Sequence, residues 1–433
     1  MSKRTLNVLM NGILIGKWVK TTQGALVFSY DEAWLNTPAA RPLSLSLPLT
    51  KNAYSGDGVY NFFDNLLPDN LQIRARIQTK FRIPTNHPFD LLAAIGRDCV
   101  GAIQLIEGEL PAFEKKIKAE PVTKSEIAAI LRDYQNSPLG MTEKSGKFRI
   151  SIAGAQEKAA FLYHKKKWHR PLDETPTTHI FKLPIGYIQH AQMDLSASCE
   201  NEWLCAQIAK AFGLAVAACE IIHFEDIKIL AVERFDRQLS SDQSWLMRLP
   251  QEDICQALGV SPNLKYQSDG GPGLVEIMQL LSGSSNPEDR ETFYRTQILF
   301  WLLAAIDGHA KNFSLFIQPG GEYCLTPLYD IMSVHPLIAK NQLQAQKIKM
   351  AMALQGKNTH YNWGNIQRRH FIETAKAVNF PAEKAENILD EMLAKVDAVV
   401  EQVAGKLASD FPQNISQPIF SGMRAMKKKL ERA

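Results

Sequence analysis

The chain has 433 residues, of which 45% are hydrophobic and 22% charged, with a formal net charge of +4. This length exceeds a single typical core, so we expect two or three subdomains of an ordinary globular protein. The longest apolar run, residues 298–306, is too short to cross a bilayer, and six scattered cysteines without a Cys-x-x-Cys pair predict a cytoplasmic protein with reduced thiols and no zinc site.

The N-terminal part, residues 1–110, predicts a small mixed α/β subdomain. Leu6–Met10 and Ile13–Trp18 flank Asn11-Gly12, a dipeptide that supplies the positive φ angles of a tight hairpin turn. Further elements are predicted in this part: a strand at 24–30 and helices at 61–68 and 70–81.

The middle and last parts differ in periodicity. Residues 111–250 predict a β-rich unit with strands at 148–152, 159–164, 178–183, 219–224 and 228–232 and helices at 125–134 and 200–212. Residues 251–433 predict an all-helical unit with helices at 274–281, 291–306, 370–378 and 382–407. Strands followed by helices indicate an α+β fold with a β-rich lobe, an all-α C-terminal lobe and a cleft between them.

A candidate phosphate loop lies at Arg149–Lys158, between two strand-like segments. Its Ala153-Gly154-Ala155 core carries no bulky side chain, which suits close approach of backbone N–H groups to phosphate oxygens. Gln156, Glu157 and Lys158 complete the segment that we assign to the nucleotide. The loop matches neither the Walker nor the glycine-triplet pattern, so an ordinary hairpin turn is the alternative.

Lys182 stands in an apolar strand, where alternation places it on the same face as Ile180. A lysine with so many apolar neighbours either extends to water at a strand edge or points at an anion such as a nucleotide phosphate. Glu202, on the following helix, is a candidate ion-pair partner, as the helix glutamate is in protein kinases, and Glu200 is a close competitor. Both glutamates are also consistent with solvated positions on a helix.

The strand Ile229–Val232 runs directly into Glu233-Arg234-Phe235 and resembles the hinge between two lobes. Exposed backbone donors and acceptors there would take the edge of an adenine, with Phe235 against its ring. A strand that leaves into a charged loop explains the same pattern.

The most informative motif is Asp307–Asn312, which Tyr329-Asp330 follows. Kinase-type phosphoryl transfer needs one carboxylate for the attacking hydroxyl, here Asp307, and an amide and a second carboxylate for Mg²⁺, here Asn312 and Asp330. We expect the preceding helix to end where Asp307-Gly308 breaks it, and residues 325–330 to form a strand that delivers Asp330. An Asp-Gly turn with incidental polar neighbours is the alternative.

Tyr329 and the residues inside this motif, His309, Ala310 and Lys311, are assigned to the nucleotide. For His309, contact with a phosphate and bracing of the loop both remain open. The order of these candidates along the chain is the order found in protein kinases. It runs from the phosphate loop through the lysine, the helix glutamate, the hinge and the Asp/Asn loop to the metal aspartate. That joint order favours ATP-dependent chemistry over the separate alternatives.

Short basic runs occur at residues 165–167, 368–369 and 427–429, and such runs are mostly solvated surface. Arg368 and Arg369 are our candidates for direct contact with DNA, because adjacent guanidinium groups before a helix suit backbone phosphates. No helix-turn-helix is recognisable, so we expect contact with DNA mainly through a partner.

Taken together, these segments resemble the HipA-type serine/threonine kinase toxins of bacterial type II toxin–antitoxin modules over essentially the full chain. The resemblance is carried by residues 40–48, 61–69, 148–158, 248–253, 268–273, 307–312 and 329–330. The segment Ala339–Tyr361 diverges most from the family.

The resemblance implies a two-lobed protein-kinase-like fold with an extra small N-terminal subdomain. It also implies phosphorylation of protein serine with ATP and Mg²⁺, and an autophosphorylated serine in the phosphate loop, here Ser151. The implied partner is a HipB-like helix-turn-helix antitoxin that binds operator DNA with the toxin as corepressor. In the best-known members the target is glutamyl-tRNA synthetase, and the consequence is growth arrest and drug tolerance.

Two other functions compete with this interpretation. A small-molecule phosphotransferase of the aminoglycoside type would use similar Asp/Asn/Asp chemistry, but it leaves residues 1–110 unexplained. A catalytically silent corepressor would be favoured by loss of the reactive residues, yet Lys182, Asp307, Asn312 and Asp330 are all present.

Overall fold

The structure is a computed structural model, and it describes residues 3–110, 112–136, 156 and 158–431. The chain forms two compact units. The first contains residues 1–183, 222–263 and 314–323, and the second contains residues 184–221, 264–313 and 324–433. Both units are discontinuous in sequence. The three-part division at residues 110 and 250 stays a prediction.

The described residues form the following elements. The strands are β1 Arg4–Met10, β2 Ile13–Lys20, β3 Leu26–Tyr30, β4 Tyr54–Ser55, β5 Ile103–Glu107, β6 Ala119–Pro121, β7 Lys158–His164, β8 Lys167–Pro171, β9 His179–Lys182, β10 Gly186–Ile188, β11 Met193–Leu195, β12 Cys219–Phe224, β13 Ile227–Glu233, β14 Arg237–Leu239, β15 Leu246–Arg248, β16 Gln251–Asp253, β17 Ser314–Ile317, β18 Tyr323–Leu325, β19 Lys349–Leu354 and β20 His360–Asn362. The helices are α1 Glu32–Leu35, α2 Asp57–Asp64, α3 Leu71–Lys80, α4 Pro88–Ile95, α5 Lys124–Asn136, α6 Ser198–Ala211, α7 Ile254–Ala257, α8 Leu274–Leu280, α9 Asp289–Leu303, α10 His335–Ala339, α11 Arg368–Ala377, α12 Ala382–Ala404 and α13 Gln413–Glu431.

The first unit opens with a five-stranded sheet in the order β4-β3-β2-β1-β5. Met10 lies opposite Ile13, so Asn11 and Gly12 form the predicted two-residue turn, with φ angles of 49° and 79°. The indole of Trp18 stacks on Phe63 with ring centroids 3.8 Å apart, and this contact fixes α2 on the sheet.

The helix predicted at 61–68 is shifted in the structure, where α2 ends at Asp64. The N–H groups of Leu66 and Leu67 bond the carbonyls of Phe63 and Asp64, which are three residues back rather than four. Pro68 then follows without an N–H to continue the ladder. This region is therefore a tight turn after a shorter helix.

A six-stranded sheet in the order β12-β13-β9-β7-β8-β6 carries the predicted lysine strand. The core on one side of it contains Phe161, Phe181 and Ile229 and packs against α5 residues such as Leu131. Since side chains alternate along a strand, the residue after Phe181, Lys182, belongs to the opposite face. The strand predicted at 148–152 lies outside the described residues.

The second unit is built mainly from helices, with α9 buried along most of its length. Gly422 of α13 lies against the ring of His335 on α10, where a Cβ atom would come within 2.3 Å of Nδ1, so a larger residue would separate these helices. No helix among the described residues combines the length and apolarity needed to span a bilayer.

Residues 251–433, predicted to be helical throughout, also contain the short strands β16 to β20. The clearest is β19, which pairs with β20 so that Lys349 lies opposite Asn362 and Leu354 opposite His360. Its Met-Ala-Met-Ala-Leu sequence favours a helix by intrinsic propensity, and tertiary pairing overrides that preference.

Candidate active site

The loop that carries Asp307 starts earlier than predicted. Helix α9 ends at Leu303, and Ala304 caps it in the left-handed region with φ 48°. The carbonyl oxygen of Ile306 then accepts a 3.0 Å hydrogen bond from the N–H of Ala351, which ties the loop to β19. Residues 304–306, predicted as helix, therefore form part of the loop.

Gly308 is required by packing, because a Cβ atom there would lie 2.4 Å from the ring of Phe300. The N–H of His309 bonds the carbonyl oxygen of Asp307 at 2.8 Å and closes the turn around this glycine. The Asp307 side chain is exposed, and His309 is buried beside it. The predicted Asp-Gly break thus presents a carboxylate to solvent from a fixed backbone.

Asn312 ends the short 3₁₀ turn Ala310–Asn312 and is only 4% exposed. Its Nδ2 donates to the carbonyl oxygen of Asp330 at 3.5 Å, and the hydroxyl of Tyr329 donates to the carbonyl oxygen of Lys311 at 2.8 Å. These bonds bring the two predicted motifs together within the second unit. Asn312 and Asp330, the two expected metal ligands, are therefore neighbours.

Asp330 is not delivered by a strand, and this part of the prediction is wrong. Strand β18 ends at Leu325, since Pro327 has no N–H for a ladder, and Leu328 makes only an isolated parallel bridge to Val216. Asp330 itself has a φ angle of 62°. Non-glycine residues in this left-handed region are uncommon and cluster at functional sites.

The donor set at Asn312 and Asp330 fits Mg²⁺, which binds carboxylate and amide oxygens. Asn312 Oδ1 is buried and has no hydrogen-bond partner among the described residues. Such an orphaned acceptor costs about 1–3 kcal/mol, which a bound cation would offset. In the described part of the chain, groups of three or more His, Cys, Asp or Glu that could hold a metal are absent, and the candidate site relies instead on an amide oxygen.

In the first unit, Lys182 lies directly opposite Lys158 in the β7–β9 register. Residues directly opposite each other share one face of the sheet, so both lysines lie on that face. Lys182 is 6% exposed. The assignment of both lysines to nucleotide phosphates stays a prediction.

Glu200 and Glu202 are 7% and 6% exposed, so neither is a solvated helix residue. Both belong to α6 in the second unit, and which of them pairs with Lys182 stays a prediction.

The phosphate loop is described only in part. Ser151, Ala153, Gly154, Ala155 and Glu157 lie outside the described residues. Gln156 is described, and its Nε2 donates to the carbonyl oxygen of Leu183 at 2.6 Å.

The segment Glu233–Phe235 differs from the expected hinge at Arg234. Its N–H donates to the carbonyl oxygen of Thr178 at 2.8 Å, and its buried guanidinium bonds Asp236 at 2.8 Å, so neither group is available to a nucleotide. Glu233 is exposed. The ring of Phe235 is half-buried and lies edge-on to Phe316, with centroids 5.8 Å apart.

Arg234 belongs to a buried charge network that we did not predict from the sequence. Asp98 pairs with Arg237 at 2.9 Å, with Arg248 at 3.4 Å and with Arg234 at 3.5 Å. Burial alone would raise the pKa of Asp98, but the three guanidinium groups hold it well below its usual range. Burial lowers the pKa of Arg237 to about 10. These pairs fix the backbone that follows β13.

The two candidate DNA-binding arginines differ in their surroundings. Arg368, at the start of α11, pairs with Asp390 at 2.6 Å and Glu386 at 3.3 Å, and the hydrogen bond to Asp390 raises its pKa. Arg369 is exposed and contacts the ring of His370. The charge of Arg368 is therefore already compensated by carboxylates, which leaves Arg369 as the better candidate for a phosphate.

Comparison with known proteins gives two family matches. Residues 150–400 match the HipA-like C-terminal domain, and residues 6–106 match the HipA N-terminal domain. The larger match covers more than half of the chain and contains the predicted nucleotide and catalytic residues, from Ala153 to Asp330.

Two relatives and one solved structure are similar over most of the chain. Y4mE of Sinorhizobium fredii, named as a candidate kinase, is 35% identical over 77% of this chain and 78% of its own length. The serine/threonine-protein kinase toxin HipA of Shewanella oneidensis is 29% identical over 76% of this chain and 75% of its own. A solved complex of Shewanella oneidensis HipA and HipB with operator DNA aligns with a TM-score of 0.80 at 23% identity, over 99% of this chain and 97% of the matched chain, and this likeness shows the fold.

Proposed function

Because the chain belongs to the HipA family, we propose that it is an ATP- and Mg²⁺-dependent serine/threonine protein kinase. The observation that carries this proposal is the pairing of the 309–312 turn with Tyr329-Asp330, next to an exposed Asp307. A turn with incidental polar neighbours does not explain why Asn312 buries an amide oxygen that finds no partner among the described residues and lies next to a left-handed Asp330.

Each residue then has a defined task in phosphoryl transfer. Asp307 orients the acceptor hydroxyl and receives its proton as the hydroxyl oxygen bonds to the γ-phosphorus of ATP. The bond from that phosphorus to the β–γ bridging oxygen breaks, and ADP leaves with the released electron pair. Mg²⁺ held by Asn312 and Asp330 would neutralise negative charge on the phosphates.

The nucleotide is held mainly by the first unit in this proposal. Lys158 and Lys182 bind phosphate oxygens, and the backbone of residues 153–157 cradles them. Glu233 and Phe235 contribute to the adenine site through backbone atoms and the half-buried ring. His309, Ala310, Lys311 and Tyr329 belong to the second unit, and their assignment to the nucleotide rests on the sequence motif.

We further propose that the kinase is the toxin of a toxin–antitoxin module in the cytoplasm. Its partner would be a HipB-like helix-turn-helix antitoxin, through which it reaches operator DNA as a corepressor. This is supported by the fold shared with a HipA that was solved with HipB and operator DNA. Glutamyl-tRNA synthetase is our first candidate substrate, and Ser151 is the proposed site of autophosphorylation.

Phosphorylation at Ser151 would add about −1.5 to −2 charges at pH 7 within the proposed phosphate loop. That charge would compete with ATP for the same donors and switch the kinase off. Mass spectrometry after incubation with Mg-ATP should find phosphate at Ser151, and the modified protein should lose affinity for ATP. Full affinity in the modified form would contradict the switch.

The decisive experiment measures transfer of labelled γ-phosphate to protein acceptors by the wild type and by Asp307→Gln. We expect transfer by the wild type and a loss of about 10²–10⁴-fold in the variant, the usual contribution of a general base. Circular dichroism and thermal melting should show the same fold, since Asp307 is exposed. Near-normal transfer by Asp307→Gln would contradict the assignment.

A further inference from the structure

Tyr266 contacts both ionisable side chains at the start of the catalytic loop. Its hydroxyl donates a 2.5 Å hydrogen bond to Oδ1 of Asp307. Its ring lies edge-on to the ring of His309, with centroids 4.9 Å apart and an interplanar angle of 81°. All three residues belong to the second unit, and Tyr266 has no task in the function proposed above.

The segment around Tyr266 is fixed on the loop it touches. The carbonyl oxygen of Lys265 accepts a 3.2 Å hydrogen bond from the N–H of Ala310, inside the catalytic motif. Gln267 Oε1 accepts a 2.7 Å bond from the N–H of Ala353. The residues on both sides of Tyr266 are thus anchored, so its hydroxyl is held at Asp307 by the backbone.

Gly271 forms a turn that fixes the backbone on the C-terminal side of Tyr266. The N–H of Gly271 donates to the carbonyl oxygen of Tyr266 at 3.0 Å. A Cβ atom on Gly271 would come within 1.6 Å of the carbonyl oxygen of Leu264, so no other residue fits without moving the backbone. The position of Tyr266 therefore depends on a turn that the sequence specifies.

A purely structural role accounts poorly for this hydrogen bond. Asp307 is exposed, so water would solvate its carboxylate whether or not Tyr266 were present. A fixed hydroxyl at one carboxylate oxygen restricts the orientation of the carboxylate, and donation to a carboxylate favours the ionised form.

We infer that Tyr266 is a positioning residue, which holds the Asp307 carboxylate ionised and oriented toward the acceptor hydroxyl. The inference rests on the function proposed above, in which Asp307 receives the acceptor proton. Tyr266 keeps its own proton throughout, and no bond to it forms or breaks. Its contribution to the reaction is made through the hydrogen bond to Asp307.

The test compares Tyr266→Phe, which removes only the hydroxyl and keeps the ring against His309, with the wild type. We expect kcat to fall about ten- to a hundredfold, the size of a hydrogen bond to a charged group. The KM for ATP should change less than twofold. The acidic limb of the pH–rate profile should move to higher pH, because the carboxylate loses a donor that favours its ionised form. A structural defect would not move that limb.

A matched control is Tyr294→Phe on α9 in the same unit. The Tyr294 hydroxyl is buried and has no hydrogen-bond partner among the described residues. Its removal should leave both kcat and the pH profile as in the wild type. An equal loss in both variants would overturn the positioning role of Tyr266.

A second measurement needs no kinase activity. In protein labelled with ¹³Cζ-tyrosine, the Tyr266 resonance, assigned by its absence in Tyr266→Phe, should follow a single acid titration that disappears in Asp307→Ala. If the titration of the Tyr266 resonance is the same in Asp307→Ala, the inference is wrong even if the protein is a kinase. Should the wild type transfer no phosphate, the proposed function fails, and the titration still decides whether Tyr266 holds Asp307. Phosphate found on Tyr266 after incubation with Mg-ATP would make it an acceptor and also overturn the inference.

Discussion

Two aspartates, Asp98 and Asp307, occupy opposite kinds of environment in the two units. Asp98 is buried and meets three arginines, so its charge is compensated several times over. Asp307 is exposed on the loop that also carries Asn312, whose buried amide oxygen has no hydrogen-bond partner in the described part of the chain. Asn312 bonds the carbonyl oxygen of Asp330, which has a positive φ angle. Compensated charge stabilises a fold, whereas unsatisfied or strained polar groups have to be explained by what they bind.

The sharpest test of this comparison removes the two proposed metal ligands. Asp330→Ala and Asn312→Ala should each lower phosphoryl transfer by at least the ~10²–10⁴-fold expected for Asp307. The free energy of unfolding should hold or rise in Asn312→Ala, because an orphaned acceptor disappears. Transfer rates and chemical denaturation of the same preparations measure both quantities. A large loss of stability with normal phosphoryl transfer in these variants would contradict the comparison, because Asn312 and Asp330 would then stabilise the fold rather than serve the reaction.

The opposite result is expected at Asp98. Asp98→Asn removes the carboxylate that three buried guanidinium groups share, although Asp236 still pairs with Arg234 and Arg237. The loss should cost about 3–5 kcal/mol in the free energy of unfolding. The control is Asp194→Asn, which removes a surface pair with Lys340 of 3.0 Å and should cost about 0–1 kcal/mol. Chemical denaturation of both variants checks the difference. Equal effects would mean that burial does not distinguish the two pairs.

Glu252 is a buried carboxyl group outside the catalytic motifs, and its Oε2 has no hydrogen-bond partner among the described residues. Burial raises its pKa to about 8, while the Leu45 N–H bonds one of its oxygens at 2.8 Å. The group is neutral in the fold but ionised in the unfolded chain above pH 4.5, the ordinary value for a glutamate. Its stabilising contribution is therefore complete below that pH and is lost as the pH rises toward 8, by about 1.4 kcal/mol per pH unit.

Denaturation of the wild type and Glu252→Gln between pH 5 and 8 tests this dependence. The variant stays neutral at every pH, so its stability should fall less steeply than that of the wild type. Parallel curves would show that Glu252 is ionised in the folded protein.

The proposed contact of Lys182 with a nucleotide phosphate predicts a moderate loss of nucleotide affinity when this lysine is removed. Lys182→Ala should weaken binding of Mg-ATP about ten- to a hundredfold, because a hydrogen bond to a charged phosphate is lost. Lys210→Ala, on the exposed side of α6, is the control and should bind as the wild type does. Calorimetric titration measures both. Unchanged affinity in Lys182→Ala would remove this lysine from the nucleotide site.

The smallest expected effect concerns DNA. In a complex with antitoxin and operator, Arg369→Ala should reduce the slope of log affinity against log salt by about 1, as for one lost phosphate contact. Arg368→Ala should leave that slope unchanged, because its guanidinium already pairs with Asp390 and Glu386. Equal slopes in both variants and the wild type would show that Arg369 is an ordinary solvated surface residue that makes no contact with a DNA phosphate.

Local patterns predicted the structure well where the responsible contacts are themselves local. Asn11-Gly12 formed its hairpin, and Asp307-Gly308 formed its turn, since each dipeptide carries the required backbone freedom. The contacts of Arg234 were missed because two of its partners are distant in sequence: its N–H bonds Thr178, and its guanidinium bonds Asp98, 136 residues away. Tyr266 was missed for the same reason: no nearby residue signals that its hydroxyl meets a carboxylate 41 positions later.

The interleaving of the two units has a consequence for synthesis on the ribosome. The first unit includes residues 314–323, and β17 pairs with β16 only once they exist. The second unit packs α13, at the end of the chain, against α9, which leads into the Asp307 loop. Domains fold as units during translation, so a nascent chain cannot finish either one early. A prematurely released fragment should therefore be degraded rather than act as a kinase.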